Sequence, residues 1–280
     1  MTEKILNSLL CPVCSADLSE TENKKSLVCG KGTKPHCFDF ASSGYMNFEV
    51  GKSGVGDSKE CVRSRSAFLS AGYYEPISDK LNELADKYFD KCGTVLDAGC
   101  GEGYYTLRMA SSMPYASFIG ADISKPAVEH AAKEARKNGL ANTLFTVCSI
   151  FGLPIKGSAL DGVTCLFAPC PEDEFSRVLK KDGILILVSA GKNHLHGLKK
   201  ALYNEVHLND ERADSPKNME IIENATVSYS AVLKTHEDII NLFSMTPYFY
   251  RTSVRDKAKL DDLDTLTTEI EVDFSVYRKA

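Results

Sequence analysis

The sequence of 280 residues predicts an α/β fold, in which a Rossmann-like sheet of seven strands follows a small N-terminal metal-binding module. Three observations support this prediction. Apolar strand-like segments alternate with amphipathic segments from Val95 onward, a glycine-rich turn joins the first of these strands to a helix, and several cysteines precede them. Alternating strands and helices are typical of a parallel sheet with helices on both faces.

The N-terminal cysteines are spaced like the ligands of a structural zinc ion. Cys11 and Cys14 form a CxxC pair, and Cys29, His36 and Cys37 follow in a short polar segment. Two ligand pairs of this kind surround a tetrahedral zinc ion, whose binding then supplies folding free energy. Either His36 or Cys37 completes the set, because adjacent residues rarely both bind one ion. A closed set of four ligands leaves no position for a catalytic water molecule.

Two helices are predicted between the zinc segment and the sheet. Gly51–Glu60 is rich in Gly, Ser and Lys and is typical of a loop. Cys61–Ala71 follows as a helix, with Asp57 or Ser58 as its N-cap. Leu81–Phe89 has apolar residues on one side and predicts a helix that packs on the sheet.

A glycine-rich turn after the first long strand predicts a cofactor site. Val95–Ala98 is the end of a buried strand, and Gly99, Gly101 and Gly103 form a GxGxG turn before a helix at Tyr104–Ser111. Glycines permit the sharp turn and let the backbone approach a ligand closely.

The acids around this turn favour S-adenosylmethionine (SAM) over a dinucleotide. Glu102 lies inside the turn, where it would repel a pyrophosphate but tolerates the cationic sulfonium of SAM. Tyr104 also occupies the position where a dinucleotide site has a small residue. Asp122 comes 19 residues after Gly103, where a sheet of this type presents an acid to ribose hydroxyls. With Asp97, the string D-x-G-x-G-x-G resembles motif I of the class I SAM-dependent methyltransferases.

The later segments continue the alternation and complete seven strands. The further predicted strands are Ala116–Ala121, Thr143–Cys148, Leu160–Phe167, a strand that follows a turn within 180–191, Ala225–Lys234 and Thr268–Tyr277. The further predicted helices are Glu174–Leu179, Leu198–Val206 and His236–Phe243. Asn209–Asn218 is a polar insert, and the last two strands are expected to form a hairpin-like pair.

The carboxyl ends of the strands are expected to line the pocket, as they do in open α/β sheets. Phe167 ends the fourth strand, where its ring is able to stack on a flat base. Leu153 and Pro154 follow the third strand and offer an apolar contact for adenine. His194 and His196 lie in the loop after the fifth strand, on the cofactor side of the sheet.

Charge and composition limit the possible partners. The net charge is −5 and the sequence pI is about 5.8, so the chain as a whole is not a basic nucleic-acid binder. The most basic local stretch consists of Lys52, Lys59, Arg63 and Arg65. This stretch is either a solvated surface or a strip that contacts phosphates. Neither a signal peptide nor a membrane-spanning apolar run is evident, so we expect a cytoplasmic protein without a membrane partner.

Several strings together resemble one family, the rRNA (guanine-N1)-methyltransferases of the RlmA type. In chain order they are CPVC, Cys29, H-x-F-D (36–39), GYMNF, GDS, R-x-A-F-L (65–69), AGYYEP, VLDAGCGEGYYT, FAPC, the His194 loop, YNEVH (203–207) and MTPY (245–248). They extend over most of the chain, and the zinc module joined to GCGEGYYT is more specific than motif I alone.

The resemblance implies a zinc module that helps to hold RNA and a domain that binds SAM. It implies methylation of N1 of a guanosine in a hairpin loop of bacterial large-subunit (23S) rRNA, with homodimerisation possible. By position, the implied zinc ligands are Cys11, Cys14, Cys29 and His36. The implied SAM contacts are Tyr74, Gly101, Glu102 and His194. Six residues separate Cys29 from His36, where the family more often has three, so Cys37 stays open as the fourth ligand.

We therefore divide the chain into three parts: residues 1–45, a zinc-binding module that recognises RNA; residues 46–80, a linker and helix; and residues 81–280, the methyltransferase domain. Two alternatives remain at this stage. One is a SAM-dependent methyltransferase of a small molecule, which the acidic pI favours. The other is a non-catalytic assembly factor that binds SAM or RNA. The sequence identifies no general base for the N1 proton.

Overall fold

The computed structural model describes residues 1–30, 34–51, 56–209 and 216–280. Its strands are β1 (Leu18–Glu20), β2 (Ser26–Cys29), β3 (Cys37–Asp39), β4 (Met46–Asn47), β5 (Thr94–Ala98), β6 (Ser117–Asp122), β7 (Thr143–Val147), β8 (Leu160–Leu166), β9 (Leu179–Ala190), β10 (Met219–Leu233) and β11 (Leu266–Lys279). Its α-helices are α1 (Glu3–Ser8), α2 (Lys59–Ser70), α3 (Glu75–Tyr88), α4 (Tyr104–Ser112), α5 (Lys125–Lys137), α6 (Glu172–Val178), α7 (His196–Leu202), α8 (His236–Ser244), α9 (Tyr248–Arg251) and α10 (Val254–Lys257). Lys52 and most of the predicted polar insert lie outside the described residues.

The central sheet has the order β10-β11-β9-β8-β5-β6-β7-β4. Strands β4 to β9 pair in parallel, and β11 runs antiparallel to both β9 and β10. The predicted Rossmann-like sheet of seven strands is therefore confirmed, including the antiparallel pairing of its last two strands, although three α-helices lie between them in the chain. An eighth strand, β4, has only two residues and pairs with the outer edge of β7.

The strands that hold the cofactor turn are buried on both faces, as parallel strands between helices must be. All five residues of β5 are buried, and so are the first five residues of β6. Ligands of such sheets bind at the loops that follow the carboxyl ends of the strands.

The helix and strand boundaries differ from the predictions where a local signal was weak. Helix α3 begins at Glu75, six residues before the predicted Leu81, with a proline in its first turn, where the missing N–H costs nothing. Helix α2 matches the prediction closely, and Ser58 is its N-cap, accepting a hydrogen bond from the Cys61 backbone. Helix α7 ends at Leu202, four residues before the predicted end.

The N-terminal segment packs against the loop between β7 and β8. This loop contains no helix, and the backbone of Leu10 donates to the carbonyl of Pro154 at 2.8 Å. Lys156 donates to the carbonyl of Ser8, also at 2.8 Å. Helix α1 thus covers a part of the sheet that a crossover helix would otherwise cover. The sequence did not predict α1 or its position.

No described helix is long and apolar enough to cross a membrane.

Candidate functional site

A cavity of about 860 Å³ opens at the carboxyl ends of β5, β6 and β8. This volume lies in the range of small-molecule and cofactor sites. Seven of the eight predicted cofactor residues line it: Tyr74, Asp97, Gly99, Gly101, Glu102, Asp122 and His194. The eighth, Gly103, lies behind the cavity as the N-cap of α4. The structure thus brings together residues that are up to 120 positions apart in the sequence.

The three glycines of the turn are required by its backbone conformation. Gly99, Gly101 and Gly103 have φ values of 75°, 53° and 83°, which side chains rarely adopt. A Cβ on Gly99 would lie 2.7 Å from the Cβ of Ala168, and one on Gly103 would lie 2.7 Å from the Cβ of Ala131. The turn therefore brings bare backbone to the cavity wall.

Asp122 holds the glycine turn from the end of β6. Its Oδ2 accepts a hydrogen bond from the Gly101 backbone at 2.9 Å, and its Oδ1 accepts one from the Ser124 backbone at 2.7 Å. Burial raises the pKa of Asp122 above its ordinary value, although both hydrogen bonds lower it. A carboxylate fixed at this position is suited to ribose hydroxyls.

Asp97 stabilises the glycine turn through hydrogen bonds to the neighbouring helix and strand. Its two carboxylate oxygens accept hydrogen bonds from the hydroxyls of Thr106 at 2.5 Å and Thr164 at 2.9 Å. Burial raises the pKa of Asp97 to about 6. These contacts tie β5 to α4 and β8, so the carboxylate acts on the site mainly by positioning the turn.

Arg65 lies inside the cavity rather than on the surface. It donates from Nη1 to Glu102 at 3.2 Å and from Nη2 to Asp57, and only 21% of its side chain is exposed. The basic stretch predicted from the sequence therefore does not form one external strip. Arg63 and Lys59 on the same helix are exposed, whereas Arg65 is paired internally. This pairing was not predictable from the sequence, because the partner Glu102 is 37 residues away.

His194, Tyr74 and Phe167 form an aromatic wall at the other end of the cavity. The Nε2 atom of His194 lies 3.2 Å from Oη of Tyr74, and its Nδ1 atom accepts from the Glu271 backbone at 3.3 Å. The proton of the neutral ring is therefore on Nε2, and burial lowers the pKa of His194 to about 4. The ring of Phe167 stacks on His194 at 5.9 Å between centroids.

Phe167 has a strained backbone. Its φ is 52°, in the left-handed region that favours glycine, and 46% of the residue is exposed. Non-glycine residues in this conformation cluster at functional sites because the surrounding structure must hold them there. The predicted position of Phe167 at the pocket is confirmed.

The adenine contact predicted for Leu153 and Pro154 is not at the cavity. Instead, Ile123, Ile150 and Phe151 line this side of it. Leu153 is buried, with its backbone donating to Glu174 at 2.6 Å, and Pro154 contacts the N-terminal segment. The turn after β7 thus reaches the cavity through Ile150 and Phe151 rather than through Leu153 and Pro154, and its contact with adenine stays a prediction.

A second group of residues closes the cavity from the loop between α8 and α9. Met245, Thr246, Pro247 and Tyr248 line it, although the sequence pointed to them only as a family string. Their role depends on tertiary packing, because about 50 residues separate them from the His194 loop.

The predicted zinc ligands also come together. One ligand atom from each of Cys11, Cys14, Cys29 and His36 lies within 4.8 Å of all the others. Nδ1 of His36 is 3.4 Å from Sγ of Cys29, and Sγ of Cys14 is 3.7 Å from Sγ of Cys29. Cys37 is exposed, and its Sγ lies 3.8 Å from Asp39. This set of thiolate and imidazole ligands fits a closed structural zinc site, with His36 rather than Cys37 as the fourth ligand.

The sheet order, the glycine turn and the acid after β6 together define a class I SAM-dependent methyltransferase. The family described as "Methyltransferase domain" matches residues 89–245. A crystal structure of a methyltransferase from Bacillus halodurans C-125 superposes with a TM-score of 0.50 and 19% identity, covering 72% of this chain and 98% of that chain. This similarity confirms the fold.

Sequence relatives identify the family within this class. A protein of Streptomyces fradiae named 23S rRNA (guanine(748)-N(1))-methyltransferase is 30% identical, covering 72% of this chain and 70% of the relative. Two further relatives carry names of 23S rRNA (guanine-N(1)-)-methyltransferases. The relative from Micromonospora griseorubida is 33% identical and covers 70% of each chain. The relative from Bacillus subtilis is 30% identical, covering 70% of this chain and 68% of the relative. The chain belongs to the family of 23S rRNA (guanine-N1)-methyltransferases.

Proposed function

We propose that this protein transfers the methyl group of SAM to N1 of a guanosine in a hairpin loop of bacterial 23S rRNA. The observation that carries this proposal is the single cavity in which the glycine turn, Asp122 and the aromatic wall of Phe167 meet. The family supplies the expected substrate, and the cavity supplies a cofactor site beside a surface on which a flat base is able to stack.

Different residues of the cavity suit different parts of SAM. Asp122 is positioned for the ribose hydroxyls, because it ends β6 beside the glycine turn. The apolar side chains of Ile123, Ile150 and Phe151 suit the adenine ring. Gly99 and Gly101 allow the methionine part to lie against the backbone, next to Tyr74 and His194. SAM itself supplies an electrophilic methyl group on its sulfonium.

The base-binding residues lie where the methyl group would be presented. N1 is on the Watson–Crick edge of guanine, which a duplex hides, so the base must be unpaired or flipped out. Phe167 offers an exposed ring for stacking, and Pro169 follows it at the cavity wall. Alignment of N1 with the methyl group supplies much of the rate acceleration. The N1 proton also needs an acceptor or a stabilised O6, and we assign neither to a residue.

Residues 1–45 are proposed to hold the RNA hairpin with the help of the zinc site. The exposed lysines Lys24, Lys25 and Lys34 on this segment are able to contact phosphates. We further propose that the protein acts in the cytoplasm and that two copies associate; sedimentation of the purified chain tests the second statement.

Reverse transcription tests the reaction. Unmodified 23S rRNA is incubated with the protein and SAM, and a primer is then extended across the hairpin loops. Since a methyl group on N1 blocks base pairing, we expect a SAM-dependent stop opposite one guanosine. Such a stop identifies the base, the pairing edge and the position together.

The other outcomes of this experiment distinguish the proposed reaction from the two alternative functions. Labelled methyl groups that enter RNA without a stop would point to another atom or base. SAM binding without any methyl transfer to RNA would contradict the proposal and favour a small-molecule methyltransferase or a non-catalytic factor.

A further inference from the structure

The cofactor cavity contains one strongly basic side chain. Among the described residues that line it, Arg65 is the only lysine or arginine. Five of the lining residues are acids: Glu49, Asp57, Asp97, Glu102 and Asp122. His194 is neutral, because burial lowers its pKa to about 4. Arg65 is therefore the one described side chain in the cavity that offers a full positive charge to an anionic group.

Arg65 is held directly over the glycine turn. A Cβ placed on Gly101 would lie 3.0 Å from Nη1 of Arg65. Glu102 accepts from Nη1, and Asp57 and the Cys61 thiol accept from Nη2. A guanidinium has five N–H donors, and these contacts account for three of them. No other described residue accepts a hydrogen bond from Arg65, which lines the cavity, so two donors remain for a ligand there.

We propose that Arg65 binds the carboxylate of the methionine part of SAM. This inference rests on the proposed function, since it takes SAM as the cofactor. SAM carries two cationic groups, the sulfonium and the ammonium, and one carboxylate. The acids of the cavity match the cationic groups, and Arg65 matches the carboxylate, which needs a charged donor once it leaves water.

The two acids beside Arg65 give it a fixed orientation before the ligand arrives. Asp57 lies just before the N-cap of α2, and Glu102 lies in the glycine turn. The pair with Glu102 therefore links α2 to the glycine turn, and the pair with Asp57 links it to the residue just before its own N-cap. Arg65 is a cofactor-binding residue in this proposal, rather than part of the solvated surface or the phosphate-contacting strip that the sequence left open.

Isothermal titration calorimetry with two ligands tests the proposal. The ligands are SAM and decarboxylated SAM, which lacks only the carboxylate, and the proteins are the full-length wild type and Arg65→Gln. We expect the wild type to bind SAM at least about tenfold more tightly than decarboxylated SAM. Arg65→Gln is expected to lose about tenfold or more in affinity for SAM but to bind decarboxylated SAM equally or more tightly, because a like charge has been removed.

The control is Arg63→Gln, an exposed arginine on the same helix, for which SAM affinity should stay within about twofold of the wild type. Equal losses for both ligands in Arg65→Gln would show a merely structural role and overturn the proposal. If that variant does not fold, the wild type decides: equal affinities for the two ligands overturn the proposal.

Ligand binding and RNA methylation together distinguish a failure of the proposed function from a failure of the Arg65 proposal. A preference for SAM over decarboxylated SAM that Arg65→Gln abolishes, without methylation of RNA, would support the role of Arg65 and contradict only the substrate. A wild type that does not bind SAM would overturn both.

Discussion

Cys14 is one of four residues that converge from two separate parts of the N-terminal segment, so its thiolate should be essential for metal binding. We expect Cys14→Ser to release about one zinc ion per chain, because a hydroxyl is a poor replacement for a thiolate in a closed zinc site. Metal analysis of the purified variant measures this loss. Cys37→Ser is the matched control and should keep its zinc, since Cys37 faces Asp39 instead. Equal zinc loss in both variants would contradict the choice of His36 as the fourth ligand.

His194 provides a prediction for pH dependence. Its folded pKa of about 4 lies below the ordinary value of 6.5, so the folded state resists protonation of this ring. The corresponding stabilisation is present above pH 6.5 and is lost as the pH falls toward 4. The difference between a pKa of 6.5 and one of about 4 corresponds to about 3 kcal/mol in the free energy of unfolding.

NMR titration of the histidine rings measures the pKa directly. The His194 signal, identified by its absence in His194→Gln, should remain that of a neutral ring down to about pH 5. His236, whose side chain is exposed, serves as the comparison. A His194 signal that titrates near 6.5 would show that the ring is not as buried as the structure has it.

At the residue level, the sequence identified side chains whose chemistry is tied to a local motif. The glycines, Asp122 and the zinc ligands are of this kind, because their spacing carries the signal. Arg65 was placed on the surface, since nothing near it in the sequence reveals a partner 37 residues away in the glycine turn. Local spacing cannot report which charges pair across the fold.

The helices α9 and α10 present a basic and aromatic face beside the mouth of the cavity. Five exposed residues of these two short helices and the residue before them make up what we call the α9–α10 face: Pro247, Tyr250, Arg251, Val254 and Arg255. Tyr250 is 67% exposed and Val254 is 85% exposed, and Pro247 also lines the cavity. Positive charge next to an exposed aromatic ring is suited to single-stranded RNA.

We expect Arg251→Gln combined with Arg255→Gln to weaken binding of a 23S rRNA hairpin. If both arginines contact phosphates, the slope of log Kd against log salt should fall by about 1.4, or about 0.7 for each lost contact with a single strand. Tyr250→Ala should cost about 1–3 kcal/mol in binding if a base stacks on the ring. Fluorescence anisotropy over a range of salt concentrations measures both effects.

The control is Lys133→Gln combined with Lys137→Gln. These lysines are exposed on the second half of α5, which starts at the carboxyl end of β6 and runs away from the cavity mouth. Their removal takes away the same charge but should leave the slope nearly unchanged. An equal change in slope in both double variants would show that the α9–α10 face has no special role.

At the level of elements, periodicity and caps predicted most of the sheet and its helices. Short pieces escaped prediction because their formation depends on packing. Helix α1 has only six residues, and β4 has two; neither is stable as an isolated element. Both exist because they pack against the sheet, which the local sequence does not reveal.

The N-terminal segment and the sheet form one structure. Ile5, Leu27 and Phe48 belong to the same buried cluster as Leu96 and Ile119 of the central strands. Strand β4 also joins the edge of β7, with Met46 completely buried. Residues 1–45 and the sheet therefore share one hydrophobic core, and the proposed division at residues 45/46 separates only their proposed roles. Sequence analysis separated the parts by composition, which says nothing about the surface that they share.

This shared core leads to a prediction for metal removal. If the zinc site stabilises the N-terminal segment and that segment covers the sheet, a strong zinc chelator should lower the melting temperature of the whole chain in one transition. A loss of about 3 kcal/mol would lower Tm by roughly 10 °C, since 1 kcal/mol corresponds to about 2–4 °C at this size. Differential scanning calorimetry measures the effect. Added zinc should reverse it, and Cys14→Ser should already melt at the lower temperature. A separate low-temperature transition, with the main one unchanged, would instead show that residues 1–45 unfold independently of the sheet.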